Sequence, residues 1–235
     1  MGKKYKAKDC VYCGAVGASE TGDHIFARGF FALDDRDNLP QVPSCSSCNS
    51  AKSQLETYLT AVLPFGGNHA DAVKMLEEYV PKRLEANNKL HRKLSDGAQS
   101  ERLVPDGAAE VMTLPFDGQK VEELFGYIVR GLHFHHWKQV VPEDCTVQAG
   151  ALSSVGQIFF DQMLSMNGTR VTGCVGRNVF EYEGIQSVEH PWITVWKFKA
   201  YGGVQVGGDP GLPAETTNCV YAYTARNSMG SLFGD

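Results

Sequence analysis

The chain has 235 residues, 43% of them hydrophobic and 21% charged, with a formal net charge of −5. That length buries a substantial core in one or two domains, and that balance excludes a fibrous or disordered chain. No apolar run is long enough to cross a bilayer, and the basic start Met1-Gly2-Lys3-Lys4 lacks the apolar stretch of a secretory signal. No membrane partner is expected, and a reducing cytoplasmic setting suits the seven cysteines.

In chain order, the first element is the pair Cys10-Val11-Tyr12-Cys13, answered later by Cys45-Ser46-Ser47-Cys48. Each C-x-x-C brings two thiolates within reach of one ion, and two pairs supply the four soft ligands of a closed, structural Zn²⁺ site. Between them a strand is predicted near Gly22 to Ile25 and another near Leu39 to Val42, with a helix opening near Ser46. A closed zinc shell leaves no position for water. Catalysis here therefore calls for a second, harder cation, Mg²⁺ or Mn²⁺, on oxygen ligands such as Asp23 and Asn49. His24, with an ordinary pKa of about 6.5, has the chemistry of a general base. Neighbours on a strand point to opposite sides, so Asp23 and His24 have different tasks. Lys52 lies one helical turn beyond Asn49, where an ammonium meets a phosphate, and Arg28 is a second candidate for nucleic-acid contact. The plainer alternatives are a zinc ribbon without catalysis and a surface lysine.

These residues resemble the HNH nucleases of the ββα-metal fold. The shared pattern is C-x-x-C, Asp-His ending a strand, an Asn in the hairpin, and C-x-x-C-N-x-x-K opening a helix. Here it reads Cys10/Cys13, Asp23-His24, Asn38, Cys45/Cys48, Asn49 and Lys52, strongest over residues 10 to 60, with Asn49 making it an H-N-N variant. The proline often found after Asp-His is absent, since the chain continues Ile25-Phe26-Ala27-Arg28. The resemblance implies a metal-dependent endonuclease hydrolysing DNA, with His24 as base, a divalent cation on Asp23 and Asn49, and Asn38 as a clamp whose amide ties the hairpin. It also implies 5′-phosphate and 3′-hydroxyl products and a bacterial or phage restriction or defence setting. The rivals are a non-catalytic zinc-bound nucleic-acid or protein adaptor, and a nuclease subunit dependent on a partner protein. Two cuts in a duplex are compatible with a homodimer.

The negative net charge is awkward for nucleic-acid binding, because phosphate contacts supply most of the affinity. Local clusters have to offset it: Lys3, Lys4, Lys6 and Lys8 beside the first cysteine pair, and Lys82, Arg83, Lys89, Arg92 and Lys93 on a predicted helix. The plain reading of the second cluster is a solvated face, diluted by Glu77, Glu78 and Glu85.

The helix from Ser46 carries Leu55, Tyr58, Leu59 and Val62 at spacings of three and four and ends before Pro64, closing a nuclease unit at residues 1–64. A helical region, 65–141, holds a broken helix from Ala70 to about Leu94, with Pro81 as kink or first turn. A turn-rich stretch from Ser95 to Gly107 follows, then a strong helix from about Lys120 to Gln139. His133, His135 and His136 on that helix read as an aromatic packing face rather than a second metal site. From 142 to 235 the texture is β-rich, a separate domain or one with the helices. Ile193, Val195 and Lys197 alternate with Trp192, Trp196 and Phe198, and Tyr221 and Tyr223 form a further strand, with turns at Gly202-Gly203 and Gly207-Gly208. These aromatics read as strand core rather than base-stacking platforms, and Cys145, Cys174 and Cys219 as buried apolar residues. The expected fold class is α+β: an N-terminal zinc-bound ββα-metal (HNH) unit, central helices and a mostly antiparallel C-terminal region.

Overall fold

A computed structural model of the chain describes residues 3–102, 110–204 and 218–229, with the side chains of 99–113 outside that description. Near the N-terminus, β1 (Thr21–His24) and β2 (Gln41–Ser44) pair antiparallel, setting Asp23 opposite Val42 and His24 opposite Gln41. The chain between them is folded in by the buried rings of Phe26, Phe30 and Phe31. Helix α1 (Ser46–Val62) follows directly, with Cys45 at its N-cap. Its stripe of Leu55, Tyr58, Leu59 and Val62 is buried, as the spacing predicts. The helix gives way to a tighter turn over Leu63–Gly66, where Pro64 lacks the donor needed to continue.

The second helical stretch is broken. It runs through α2 (Ala70–Lys74), a π-turn at Met75–Tyr79, α3 (Val80–Ala86) and α4 (Asn88–Gly97). Pro81 sits in the first turn of α3, where its missing N–H would be unpaired anyway. The stretch from Ser95 is not all turn, because β3 (Gln99–Arg102) pairs antiparallel with β4 (Glu110–Thr113); the remainder to Gly107 lies outside the described residues. Helix α5 (Gly118–Trp137) is capped by Asp117, which accepts from the Lys120 amide at 3.3 Å, and ends on Lys138 with φ +58°.

The C-terminal region is a five-stranded antiparallel sheet built from β5 (Cys145–Gly150), β6 (Thr169–Val175), β7 (Phe180–Gln186), β8 (Thr194–Ala200) and β9 (Val220–Arg226). The strand order is β5-β9-β8-β7-β6. Not all of this region is strand: α6 (Ser154–Ser165) crosses between β5 and β6. That helix is apolar on more than one side, with Phe160 and Leu164 buried and Val155, Ile158 and Phe159 exposed, so no clean helical stripe marks it in the sequence. Helices cover both faces of the sheet. Trp196 and Phe198 join the core around α5, whereas Val195, Tyr221 and Tyr223 join Phe160 and Leu164 of α6. This is why both phases of the strand alternation are apolar.

One continuous core runs from Cys10 of the N-terminal unit through Leu59, Phe125 and Leu132 to Trp196 and Ala222 of the sheet. The contact that matters most for the site is made by Phe180, whose ring lies 5.1 Å from Phe26 and 4.9 Å from Phe30. Tyr201 Oη adds a hydrogen bond to the Phe30 carbonyl at 2.7 Å. The sheet thereby clamps the segment that follows His24. Among the isolated cysteines only Cys145 is buried; Cys174 is exposed, and Cys219 is half-buried against the cluster around Phe160 and Leu164 of α6. Trp192 is likewise half-buried, under the Arg226 guanidinium at 4.4 Å. Gly202 and Gly203 take positive φ as a turn requires, while Gly207-Gly208 lies outside the described residues. Among the described residues no helix is long and apolar enough to cross a membrane.

Gly184 of β7 has no side chain because the Trp196 indole lies over it: a Cβ there would stand 2.4 Å from the ring. Gly184→Ala is expected to destabilise the fold by about 1–3 kcal/mol through overpacking. Chemical denaturation measures this directly, and an unchanged midpoint would contradict the close approach.

Candidate active cleft and metal centre

The first cysteine pair lies in a tight turn in which the Gly14 amide donates to the Cys10 carbonyl at 2.8 Å and the Val11 amide donates to Pro43 O of β2 at 3.0 Å. The second pair opens α1. The Cys45 amide donates to Cys10 Sγ at 3.4 Å, and the Cys48 amide to Cys45 Sγ at 3.5 Å, so backbone donors already solvate the sulfurs. All four Sγ atoms lie within 4.8 Å of one another, with Cys13 and Cys45 at 3.9 Å. Tetrahedral coordination with metal–sulfur bonds of about 2.3 Å sets sulfurs roughly 3.8 Å apart, so these four cysteines can hold a metal ion such as zinc. Burial of Cys10 opposes its ionisation, but the backbone amides of Cys45, Cys13 and Tyr12 outweigh it and bring the thiol down to about 7. Among the described residues this is the one group of three or more His, Cys, Asp or Glu side chains close enough to share an ion. His133 instead bonds the Gln139 carbonyl through Nδ1 at 2.8 Å, and His136 bonds Tyr182 Oη at 3.0 Å.

Lys52 is not at the surface. It is completely buried, and its ammonium donates to the His24 carbonyl at 2.7 Å, to Asp23 Oδ2 at 3.0 Å and to the carboxylate of Glu56. An ammonium so engaged cannot meet a phosphate as an exposed cation. Asp23 Oδ2 also accepts from Tyr12 Oη at 2.6 Å. Burial, with the Asp23 carboxylate beside it, pushes the Tyr12 hydroxyl well above its ordinary value, so it remains a donor. Tyr12 lies inside the first cysteine pair and Lys52 four residues past the second. Asp23 is therefore held from both arms of the cysteine cluster.

His24 stands half-buried on β1, its Nε2 2.7 Å from the amide nitrogen of its cross-strand partner Gln41. Burial first, and then the Arg28 guanidinium and Lys52, lower its pKa from the ordinary 6.5, against the opposing pull of Asp23. The imidazole is thus neutral near pH 7. It lines a cleft of about 520 Å³, together with Asp23, Arg28 and Glu56 on the hairpin and α1 side and Asn87 and Leu90 on the α3–α4 side. Arg28 is exposed, and its guanidinium makes no ion pair or hydrogen bond with a described residue. Arg83, from the second basic cluster, does not belong to a solvated face: it donates to Thr60 O at 2.8 Å and Gly29 O at 2.6 Å, fastening α3 to α1 and to the loop after His24.

The two asparagines fall elsewhere. Asn49 shares the helix face of Lys52, Ser53 and Glu56 by its spacing but is not part of the cleft lining. Asn38 is exposed in a left-handed turn with φ +57°, and its amide makes no hydrogen bond with a described residue. What it contributes is the turn conformation that Asn tolerates, not an amide tie across the hairpin. The sequence reading missed Glu56, Tyr12 and Gln41. Glu56 carried a signal, four residues beyond Lys52 on one helix face, whereas Tyr12 and Gln41 depend on how the hairpin meets the cysteine turn.

Comparison with models of known protein families gives no match, and neither the curated proteins nor the solved structures compared with this chain give one.

The purified chain is expected to carry about one thiolate-bound metal ion, and Cys13→Ser to lose it. Elemental analysis and the charge-transfer absorption of the cobalt-substituted protein check this; a metal-free chain that melts as sharply as a metal-loaded one would contradict it.

Proposed function

We propose that the chain is a metal-dependent endonuclease of the HNH type, hydrolysing phosphodiester bonds in DNA, with a structural zinc at the four cysteines. The supporting observation is the meeting of a neutral imidazole, His24, with Asp23 and the free guanidinium of Arg28 in one cleft beside the cysteine-bound hairpin and helix. The Gln41 amide nitrogen donates to the His24 Nε2 lone pair at 2.7 Å, and it is this lone pair that accepts a proton once an entering water displaces Gln41. The water oxygen bonds to phosphorus, its proton passes to Nε2, and the bond from phosphorus to the 3′ oxygen breaks, the 3′ oxygen keeping the electron pair and taking a proton from solvent. Arg28 lies where it balances charge on the phosphate. Mg²⁺ or Mn²⁺ held by Asp23, with Asn49 or Glu56 of the facing helix, would supply Lewis acidity to the phosphate and the departing oxygen. The protein's own task is to keep His24 neutral, which burial chiefly does, and fixed, which Lys52 does through the His24 carbonyl. Restriction or defence in a bacterial or phage setting belongs to this proposal, through the family resemblance alone.

One observation favours a quieter second reading. Asp23 already has Lys52 and Tyr12 as partners, as a carboxylate with a purely structural role would, and the chain would then be a zinc-bound nucleic-acid or protein adaptor. Supercoiled plasmid incubated with Mg²⁺ or Mn²⁺ separates the two. The wild-type chain is expected to nick it and His24→Ala to do so at least about 100-fold more slowly. Equal nicking would remove His24 from the chemistry, and a wild type inert on single-stranded, duplex and RNA substrates would leave the adaptor.

The pH profile follows from the same site. Since His24 titrates below 6.5, its neutral form persists through neutral pH, and the rate should fall only below that value as the ring takes up a proton. Arg28→Gln removes one positive charge that disfavours the protonated ring, so the acid limb should move to higher pH. An unmoved limb would show that another group is the base.

A further inference from the structure

We propose that the cleft beside His24 is a subsite for one nucleotide, with Arg28 taking its phosphate and Asn87 and Leu90 its base. The inference rests on the nuclease reading for the identity of the neighbouring chemistry, although the pocket has its own geometry. At about 520 Å³ the cleft falls in the size range of sites that enclose a small ligand. One wall is polar and charged: His24 and Asp23 on β1, Glu56 on α1 and Arg28 in the loop after β1, the two carboxylates paired with buried Lys52 and Arg28 unpaired among the described residues. The opposite wall is contributed by α3 and α4 and is different in kind, presenting the side chains of Ala86 and Leu90 with Asn87 between them. A planar heterocycle packs on such an apolar wall, and its edge needs a directional partner.

Asn87 is built to be that partner. Its Oδ1 is committed to capping α4, accepting from the Leu90 amide at 3.1 Å, which fixes the rotamer and leaves both hydrogens of Nδ2 for a ligand. Those two donors suit the ring nitrogens and carbonyl oxygens of a base. Arg83 holds the two walls at their spacing by bonding Thr60 O on α1 and Gly29 O beside Arg28, so the cleft is not an accident of a loose loop. Free cation, apolar wall and fixed amide donor together select a mononucleotide unit over inorganic phosphate or an uncharged aromatic.

The experiment titrates the zinc-loaded full chain, without added divalent cation, with deoxynucleoside 5′-monophosphates and with inorganic phosphate, followed by NMR. The nucleotides are expected to bind at least about tenfold more tightly than phosphate. Asn87→Asp keeps the capping oxygen and the fold while removing the amide donor, and should weaken nucleotide binding about tenfold; Leu90→Ala should weaken it several-fold. Equal binding of phosphate and nucleotide, undiminished binding by both variants, or no binding at all would each overturn the subsite. Nucleotide binding without any strand cleavage would instead overturn the nuclease reading and leave the subsite standing, and cleavage without mononucleotide binding would do the reverse.

Discussion

A lysine ammonium sealed from water is the interaction on which the N-terminal unit depends. Removing such a charge from solvent costs several kcal/mol, and it is tolerated only where every donor finds an acceptor. Lys52 finds three, in the carboxylates of Asp23 and Glu56 and the carbonyl of His24. Because one of the three is backbone, the pairing fixes more than side chains. A slip of β1 along α1 by one residue would turn Asp23 away from the ammonium and His24 away from the cleft together, leaving a buried charge without partners. The register of the hairpin and the aim of the imidazole are thus set by one electrostatic requirement.

The cysteine cluster acts on the same carboxylate from the other direction. A unit of some fifty residues with two short strands has a marginal core of its own, and a bound metal is a physical way to hold it. Here the two arms of that cluster reach the site directly, Tyr12 from inside the first pair and Lys52 from just past the second. Loss of a metal from the four thiolates would loosen both contacts to Asp23 at once. The remainder of the chain then covers what the small unit leaves open. Phe180 and Tyr201 of the sheet region pack on the loop after His24, and α3 and α4 supply the far wall of the cleft.

Much of the architecture could be read before any coordinates. The two C-x-x-C pairs, the strand at Asp23-His24, the helix from Ser46 and Pro81 in the first turn of a helix follow from ligand spacing and backbone chemistry, which are local. The antiparallel sheet was visible in the alternation around Trp196 and Tyr221. Helix α6 was not, because its exposed Val155, Ile158 and Phe159 hide the single apolar stripe that usually marks a helix. The site was half visible. Asp23, His24 and Arg28 come together as their order suggests, yet Lys52, read from its spacing as a phosphate contact, is buried, and Asn38 serves through its φ rather than its amide. Both differences arise from tertiary contacts. Whether a lysine is solvated depends on what Asp23 and Glu56 meet across α1, and spacing along one helix does not reveal that.

The most direct test is a double-mutant cycle between Lys52→Met and Asp23→Asn, read by chemical denaturation of the zinc-loaded chain. If the buried pair anchors the hairpin to the helix, the single changes should not add, and the coupling free energy should be about 2–3 kcal/mol. Additivity to within about 0.5 kcal/mol would mean that ammonium and carboxylate do not depend on one another, and the central claim would fail.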